Sequence, residues 1–397
     1  MHKQIFLIVI LSAVFCHAEE FKSYKDAFEA GEKLERSNRK DALAAYDAAL
    51  ALVTSPSEKI AVLAKKSNCQ VRASRIRDGL RTLDAIPAVE GGTQEEKIAA
   101  QIQVVAAFAD RWYNKDWETQ IELVKKIQAM SGISPAQQAE CVLIIAKAQE
   151  ELDKYEEAIP SFEKVITMNQ APLAVKIEAL NHIGNCSRIA RNLPKALAAY
   201  EQISKIPDAS PEIIANAWFQ SGDTHLFPVK YNGKPSAADY AAAVKDYEKV
   251  LALEKLSPAS RMQARLNIGN CAFEQGKYSE SNKIYNDALA EPKAPANKLA
   301  EITNQLGESY VMQKEYGAAI KEFEKSLAFE KGVQDKFKIA ALGRIGELYL
   351  EMADYNNALS AYERLKAFPK LDEELKKKTE QRIAIIEWRI KRGQSGK

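Results

Sequence analysis

From Ala296 to Leu327 the apolar positions recur three and four residues apart. Leu299, Ile302, Leu306 and Tyr310, with Thr303 among them, form one stripe, and Tyr316, Ala319, Ile320, Phe323 and Leu327 form a second. The polar stretch Gln313-Lys314-Glu315 separates the two. This spacing predicts two amphipathic helices joined by a tight turn. The same pattern returns from Ile339 to Leu365, with Leu342, Ile345, Gly346 and Tyr349 followed by Tyr355, Ala358, Tyr362 and Leu365. A glycine marks the first helix at Gly184, Gly222, Gly269, Gly307 and Gly346, the last three 38 and 39 residues apart. Twelve residues after four of these glycines stands a small residue, Ala196, Ser281, Ala319 or Ala358. Four residues further on comes an aromatic, Tyr200, Tyr285, Phe323 or Tyr362. Ala158 with Phe162 and Ala42 with Tyr46 fit the second-helix pattern, and units around Gly79 and Gln120 fit it less well. A fixed period of this length implies a stacked array, here of about nine hairpins over residues 19–369, and an all-α fold.

The connections are regular too. Ser55-Pro56, Ser134-Pro135, Ser210-Pro211 and Ser257-Pro258 each precede a first helix, and Ala171-Pro172 and Ala294-Pro295 occupy the equivalent places. Serine caps free amides of the first turn, and proline fits the first helical position because its absent N–H would have no partner there. The sixth unit breaks the period with an insertion at 226–239, where Pro228, Asn232-Gly233 and Pro235 predict a turn or small hairpin. Insertions into arrays map to loops on one face, often the binding face, which makes Phe227 and Tyr231 candidate contacts. Residues 370–397 read as a capping helix with Leu375, Ile383, Ile386 and Ile390 on one side, ending in a short basic tail.

The strings Leu306-Gly307-x2-Tyr310 with Ala319-x3-Phe323, and Ile345-Gly346-x2-Tyr349 with Ala358-x3-Tyr362, resemble the tetratricopeptide repeat. The resemblance covers nearly all of the chain after residue 18. It departs from the family in a period longer than 34 and in prolines that open helices rather than close repeats. It implies a right-handed superhelical solenoid whose first helices line a concave face that binds a protein or peptide. The inward positions it implies are Asn181, Asn185 and Arg188, then Phe219, Asp223 and Leu226, then Leu266, Asn270 and Phe273, then Asn304 and Glu308, and Glu347. Amides there can hydrogen-bond an extended backbone and aromatic rings supply apolar area. The C-terminal half of this groove leans acidic, which favours a neutral or basic ligand.

Composition changes the picture in one place. With 56 basic against 54 acidic side chains and a formal charge of +2, the chain shows no basic stripe for nucleic acid. The N-terminus does add information. Lys3, the apolar run from Ile5 to Phe15 and Ala18 before Glu19 read as an export signal over residues 1–18, too short to span a bilayer, giving a periplasmic or secreted protein. Acylation of Cys16 is the competing reading, of a lipid-anchored envelope-assembly component, although bulky Phe15 precedes it. No later segment is long and apolar enough to be a span.

Catalytic and metal chemistry find little support. His182 and Cys186 are four apart on a helix, but they make only two ligands and lack a third group for a nucleophile. A Cys-dependent enzyme using this pair stays as an alternative, and no cofactor is implied. Cys69, Cys186 and Cys271 occupy the slot where the repeat tends to place alanine, in nonadjacent units, and read as separate buried thiols. Gly184 and Gly269 are expected to cross close to Ala196 and Ser281, with Ser67 playing the same part opposite Gly79. The Asn between Gly and Cys, at Asn185 and Asn270, is therefore the better candidate for function. The mixed charges from Lys376 to Arg392 have the look of a solvated cap.

Overall fold

The computed structural model describes residues 21–107, 116–227, 237–329, 332–369 and 371–395. The expected signal segment with Cys16, and residues 228–236 of the insertion with Tyr231, lie outside them. All regular structure among the described residues is α-helical, in nineteen helices that form two compact units, Met1–Lys195 and Ala196–Lys397. Each unit is a stretch of helical-repeat solenoid. The N-terminal unit runs α1 (Tyr24–Leu34), α2 (Arg39–Leu52), α3 (Pro56–Arg72), α4 (Ile76–Asp84), α5 (Gln94–Ala106), α6 (Trp117–Gln128), α7 (Pro135–Glu151), α8 (Tyr155–Thr167) and α9 (Leu173–Ile189). Helix α10 (Leu193–Ser204) straddles the division. The C-terminal unit continues with α11 (Pro211–His225), α12 (Ala237–Leu251), α13 (Pro258–Glu274), α14 (Tyr278–Leu289), α15 (Ala296–Met312), α16 (Tyr316–Ala328), α17 (Asp335–Glu351), α18 (Tyr355–Lys366) and α19 (Glu373–Ser395).

Helix starts follow the serines. The side chains of Ser55, Ser134, Ser210 and Ser257 each accept from the amide three residues on, with proline next in line. Ser134 completes a capping box with Gln137. Pro172 and Pro295 differ from expectation: each is itself the cap residue, so α9 and α15 start one position later without a side-chain cap. The turns inside the hairpins share one geometry. Ser74, Asp153, Arg191, Gly276, Lys314 and Ala353 all have left-handed φ. The following amide reaches back to close the first helix, as from Lys277 to Ala272, Glu315 to Tyr310 and Asp354 to Tyr349 at 2.8–2.9 Å.

Packing within each unit joins an element to the next, or next but one, in the chain. In the C-terminal unit the first helices α11, α13, α15 and α17 pack directly on one another, closer than the second helices do, so the first helices form the inner side of the stack. The glycines sit where hairpins are tightest, but their partner differs from expectation. Gly269 faces the ring of Tyr285 rather than Ser281, as Gly222 faces Tyr247. A Cβ on Gly307 would lie 2.8 Å from Phe323, and one on Gly346 2.8 Å from Tyr362. The small residue makes room on the second helix, and the aromatic one turn later lays its ring over the glycine. The fainter units solve the same problem otherwise. Ser67 donates to the Gly79 carbonyl at 2.7 Å, and buried Gln120 fills the small-residue slot by donating to the Val105 carbonyl at 2.8 Å. At the end of the chain α19 packs on α18, burying Leu365, Leu371 and Ile386 in one cluster with Tyr362.

Candidate functional site

In the C-terminal unit the candidate residues lie on successive first helices. Phe219 and Asp223 are on α11, Asn270 and Phe273 on α13, Asn304 and Glu308 on α15. At Gly222 and Gly269 the next residue is held by the tyrosine that covers the glycine. Tyr247 donates its hydroxyl to Asp223 at 2.7 Å, and Tyr285 donates to Asn270 Oδ1 at 2.7 Å. Burial comes first in raising both phenols, that of Tyr285 up to about 12, so both stay neutral donors. In the next hairpin the aromatic is Phe323, which has no hydroxyl, and Glu308 turns to the neighbouring first helix. There Arg344 holds both Glu308 oxygens at 2.6 and 2.7 Å and adds Glu347 at 2.6 Å. These hydrogen bonds, Glu308 foremost, raise the Arg344 pKa. Asn304 donates to the Phe337 carbonyl of α17 at 3.0 Å. Phe219 stands against Tyr247, ring centroids 6.3 Å apart, and Phe273 is edge-on to Tyr278 at 5.4 Å. Leu226 closes α11 and packs with Tyr240 and Tyr247, Phe227 next to it in sequence is half-buried at the insertion's start, and Leu266 is core. Sequence reasoning marked the polar positions but missed that Tyr247 and Tyr285 hold two of them, while Glu347, although Tyr362 covers Gly346, goes to Arg344 instead.

In the N-terminal unit Asn181, Asn185 and Arg188 are half-buried on α9. Between them His182 stacks on Phe162, centroids 5.0 Å apart and rings 8° from parallel, and its Nδ1 meets Glu150 of α7 at 2.5 Å. Lys147 and Glu178 join the same two helices at 2.8 Å. Cys186 is fully buried, and burial followed by the Glu150 charge pushes its thiol up. A thiol so placed is a poor nucleophile. Cys69, Cys141 and Cys271 are likewise buried and free. A cavity of about 230 Å³ opens beside Trp117, Lys147, Glu150 and His182. Both units thus use polar side chains on first helices to tie neighbouring repeats together.

Sequence models of the tetratricopeptide repeat match residues 139–172, 236–298 and 341–374. A search of curated proteins gives no match. Solved structures similar to the chain include a tetratricopeptide repeat protein from Parabacteroides merdae, 16% identical over 73% of this chain and 98% of that one, TM-score 0.41. The C-terminal part of a repeat protein from Cytophaga hutchinsonii is 17% identical, covering 68% and 96%, TM-score 0.46. PilW, a type IV pilus biogenesis factor, is 19% identical, covering 60% and 97%, TM-score 0.38. The matched stretches fall on α7–α8, α12–α14 and α17–α18, in the last two of which Gly269 and Gly346 pack against Tyr285 and Tyr362 as described, and the chain carries tetratricopeptide repeats.

Proposed function

We propose that this chain is a non-catalytic scaffold of the cell envelope or secreted space that holds a protein partner on the first-helix face of its repeats. The observation that carries the reading is a repeat array whose first helices pack side by side, with Phe219, Phe273 and Asn304 on successive ones. Repeat arrays of this family are interaction scaffolds, and here the thiol–imidazole pair Cys186 and His182 is tied into packing. Export rests on the apolar run and Ala18 of residues 1–18. No described helix is long and apolar enough to cross a membrane.

Site-specific photo-crosslinking in the native host tests the face. A photoreactive residue at Phe273 or Arg188 should trap a partner, whereas one at Lys283 or Lys321 on the second helices should not. Adducts confined to the second-helix positions would overturn the assignment. Mass spectrometry of the mature N-terminus tests the location: a chain beginning at Glu19 supports export without acylation, and one beginning at a lipidated Cys16 replaces it with the anchored form.

A further inference from the structure

The last first-helix surface of the C-terminal unit is not closed. Helix α19 leans on α18 through Ile386, and between α17 and α19 lies a trough of about 790 Å³. Arg344, Glu347 and Leu348 line one side of it, and Arg382, Ile385 and Arg389 the other. That volume lies within the range of sites that enclose a ligand. Ile385 is 55% exposed, one of the few large apolar side chains so open among the described residues.

Charge decides what fits. The acidic lean read from Glu308 and Glu347 is halved, because the two carboxylates share the one guanidinium of Arg344. Arg382 and Arg389 are different. Arg382 rests over the Tyr362 ring at 5.9 Å, and Arg389 over Tyr355 at 5.7 Å with a bond to its hydroxyl at 3.4 Å. Neither is in an ion pair among the described residues, and both are exposed. Glu351 is the one other acid on the lining. From Arg382 to Arg392 the helix has four cations, Arg382, Arg389, Lys391 and Arg392, against the single acid Glu387.

We propose that this trough docks an acidic peptide segment of a partner protein, with an apolar side chain seated on Ile385 and Leu348 and carboxylates taken by Arg382 and Arg389. The two arginines stand two helical turns apart on one face of α19, and a guanidinium pairs a carboxylate through two parallel N–H bonds that a tyrosine ring cannot supply. A concave trough suits a peptide better than a flat lipid surface. The proposal rests on the protein-binding reading above and gives that reading a sign.

Selection of a random short-peptide display library on the full chain tests it, in parallel with the Arg382→Gln/Arg389→Gln variant and with sedimentation on phosphatidylserine/phosphatidylcholine vesicles. Both arginines are exposed, so the variant should melt with the wild type. Wild-type selections rich in Asp and Glu around an apolar residue, with affinity for the variant roughly ten-fold lower or worse, are expected. Peptides without acidic enrichment, or equal binding to the variant, would overturn the acidic docking site and leave the scaffold reading standing. Failure to select any peptide would remove both. Vesicle binding that the double substitution abolishes, without acidic peptides, would replace the peptide with a membrane surface.

Discussion

Two glycines three residues apart on α17 have opposite surroundings. A methyl on Gly346 would press on the Tyr362 ring at 2.8 Å, while a methyl on Gly343 meets nothing within 4 Å. Gly346→Ala should therefore cost about 1–3 kcal/mol by overpacking, and Gly343→Ala should add about 0.5–1 kcal/mol by removing backbone freedom from the unfolded chain. Urea unfolding of both variants checks the pair of signs, and equal shifts would show that the ring does not confine this position. The periodicity of glycines was legible because the tightest crossing recurs in each hairpin from α11 to α18. Its partner was not, since the small residue and the aromatic are one turn apart and only the helix rotation tells which meets the glycine. Asn270 makes the same point. Its candidacy came from its neighbours Gly269 and Cys271, and what decides its role is the hydroxyl of Tyr285, fifteen residues on. The thiols give a pH test. Burial pushes Cys141 from 9.0 up to about 12, with Glu140 adding to it. Between those values the unfolded chain loses a proton that the folded chain keeps, so stability falls as pH rises through the window and is independent of this thiol below it. Denaturation midpoints taken below and above pH 9 should show the decline, and Cys141→Ala should lessen it, since Cys69, Cys186 and Cys271 are raised by burial too. Fast labelling of native thiols at neutral pH would contradict the buried placement.

Helices begin and end here by local chemistry, which is why element boundaries were readable from Ser-Pro pairs. Ser257 accepts the Ser260 amide at 3.2 Å, and its own amide donates to Glu212 of the previous first helix at 2.7 Å. The cap is thus tied to the neighbouring repeat by a backbone bond that survives loss of the hydroxyl. Ser257→Ala should cost about 1 kcal/mol, the value of the side-chain cap alone; an unchanged melting curve would remove the cap from the account of where α13 starts. The turns inside hairpins were less legible. Only Gly276 among their left-handed positions announces itself as glycine, whereas Lys314 and Ala353 hold φ of 61° and 57° with a Cβ present. The backbone bond from Asp354 to Tyr349 at 2.8 Å enforces that conformation against its cost. Ala353→Gly should relieve part of that strain and raise stability by up to about 1 kcal/mol. A thermal melt no higher than wild type would mean that the flexibility gained in the unfolded chain cancels the relief.

At the scale of a whole unit, stability is a chain of neighbour terms, because the substantial packing of each described helix is on the next or the next but one. The sequence showed such an array, since a 38-residue period cannot bury its apolar stripes without a neighbour. It did not show how the array ends. The pattern of Leu375, Ile383, Ile386 and Ile390 identified a cap, but a stripe reports which face is covered and not how far the helix stands from α17, so the trough and its arginines were invisible. The same locality governs how damage spreads. Ile386 is 1% exposed and joins Tyr362 and Leu365 of α18 to α19. Ile386→Ala should cost about 2–5 kcal/mol at that junction. In a molecule folded around one shared core the loss would raise exchange everywhere, whereas in a neighbour-coupled array it should raise amide hydrogen exchange in α18 and α19, less in α17, and leave α1 to α4 as in the wild type. Exchange that rises equally in α3 and α18 would mean that coupling along the chain is longer than the packing implies. Protection lost only in α19 would mean that the cap covers the last repeat without supporting it.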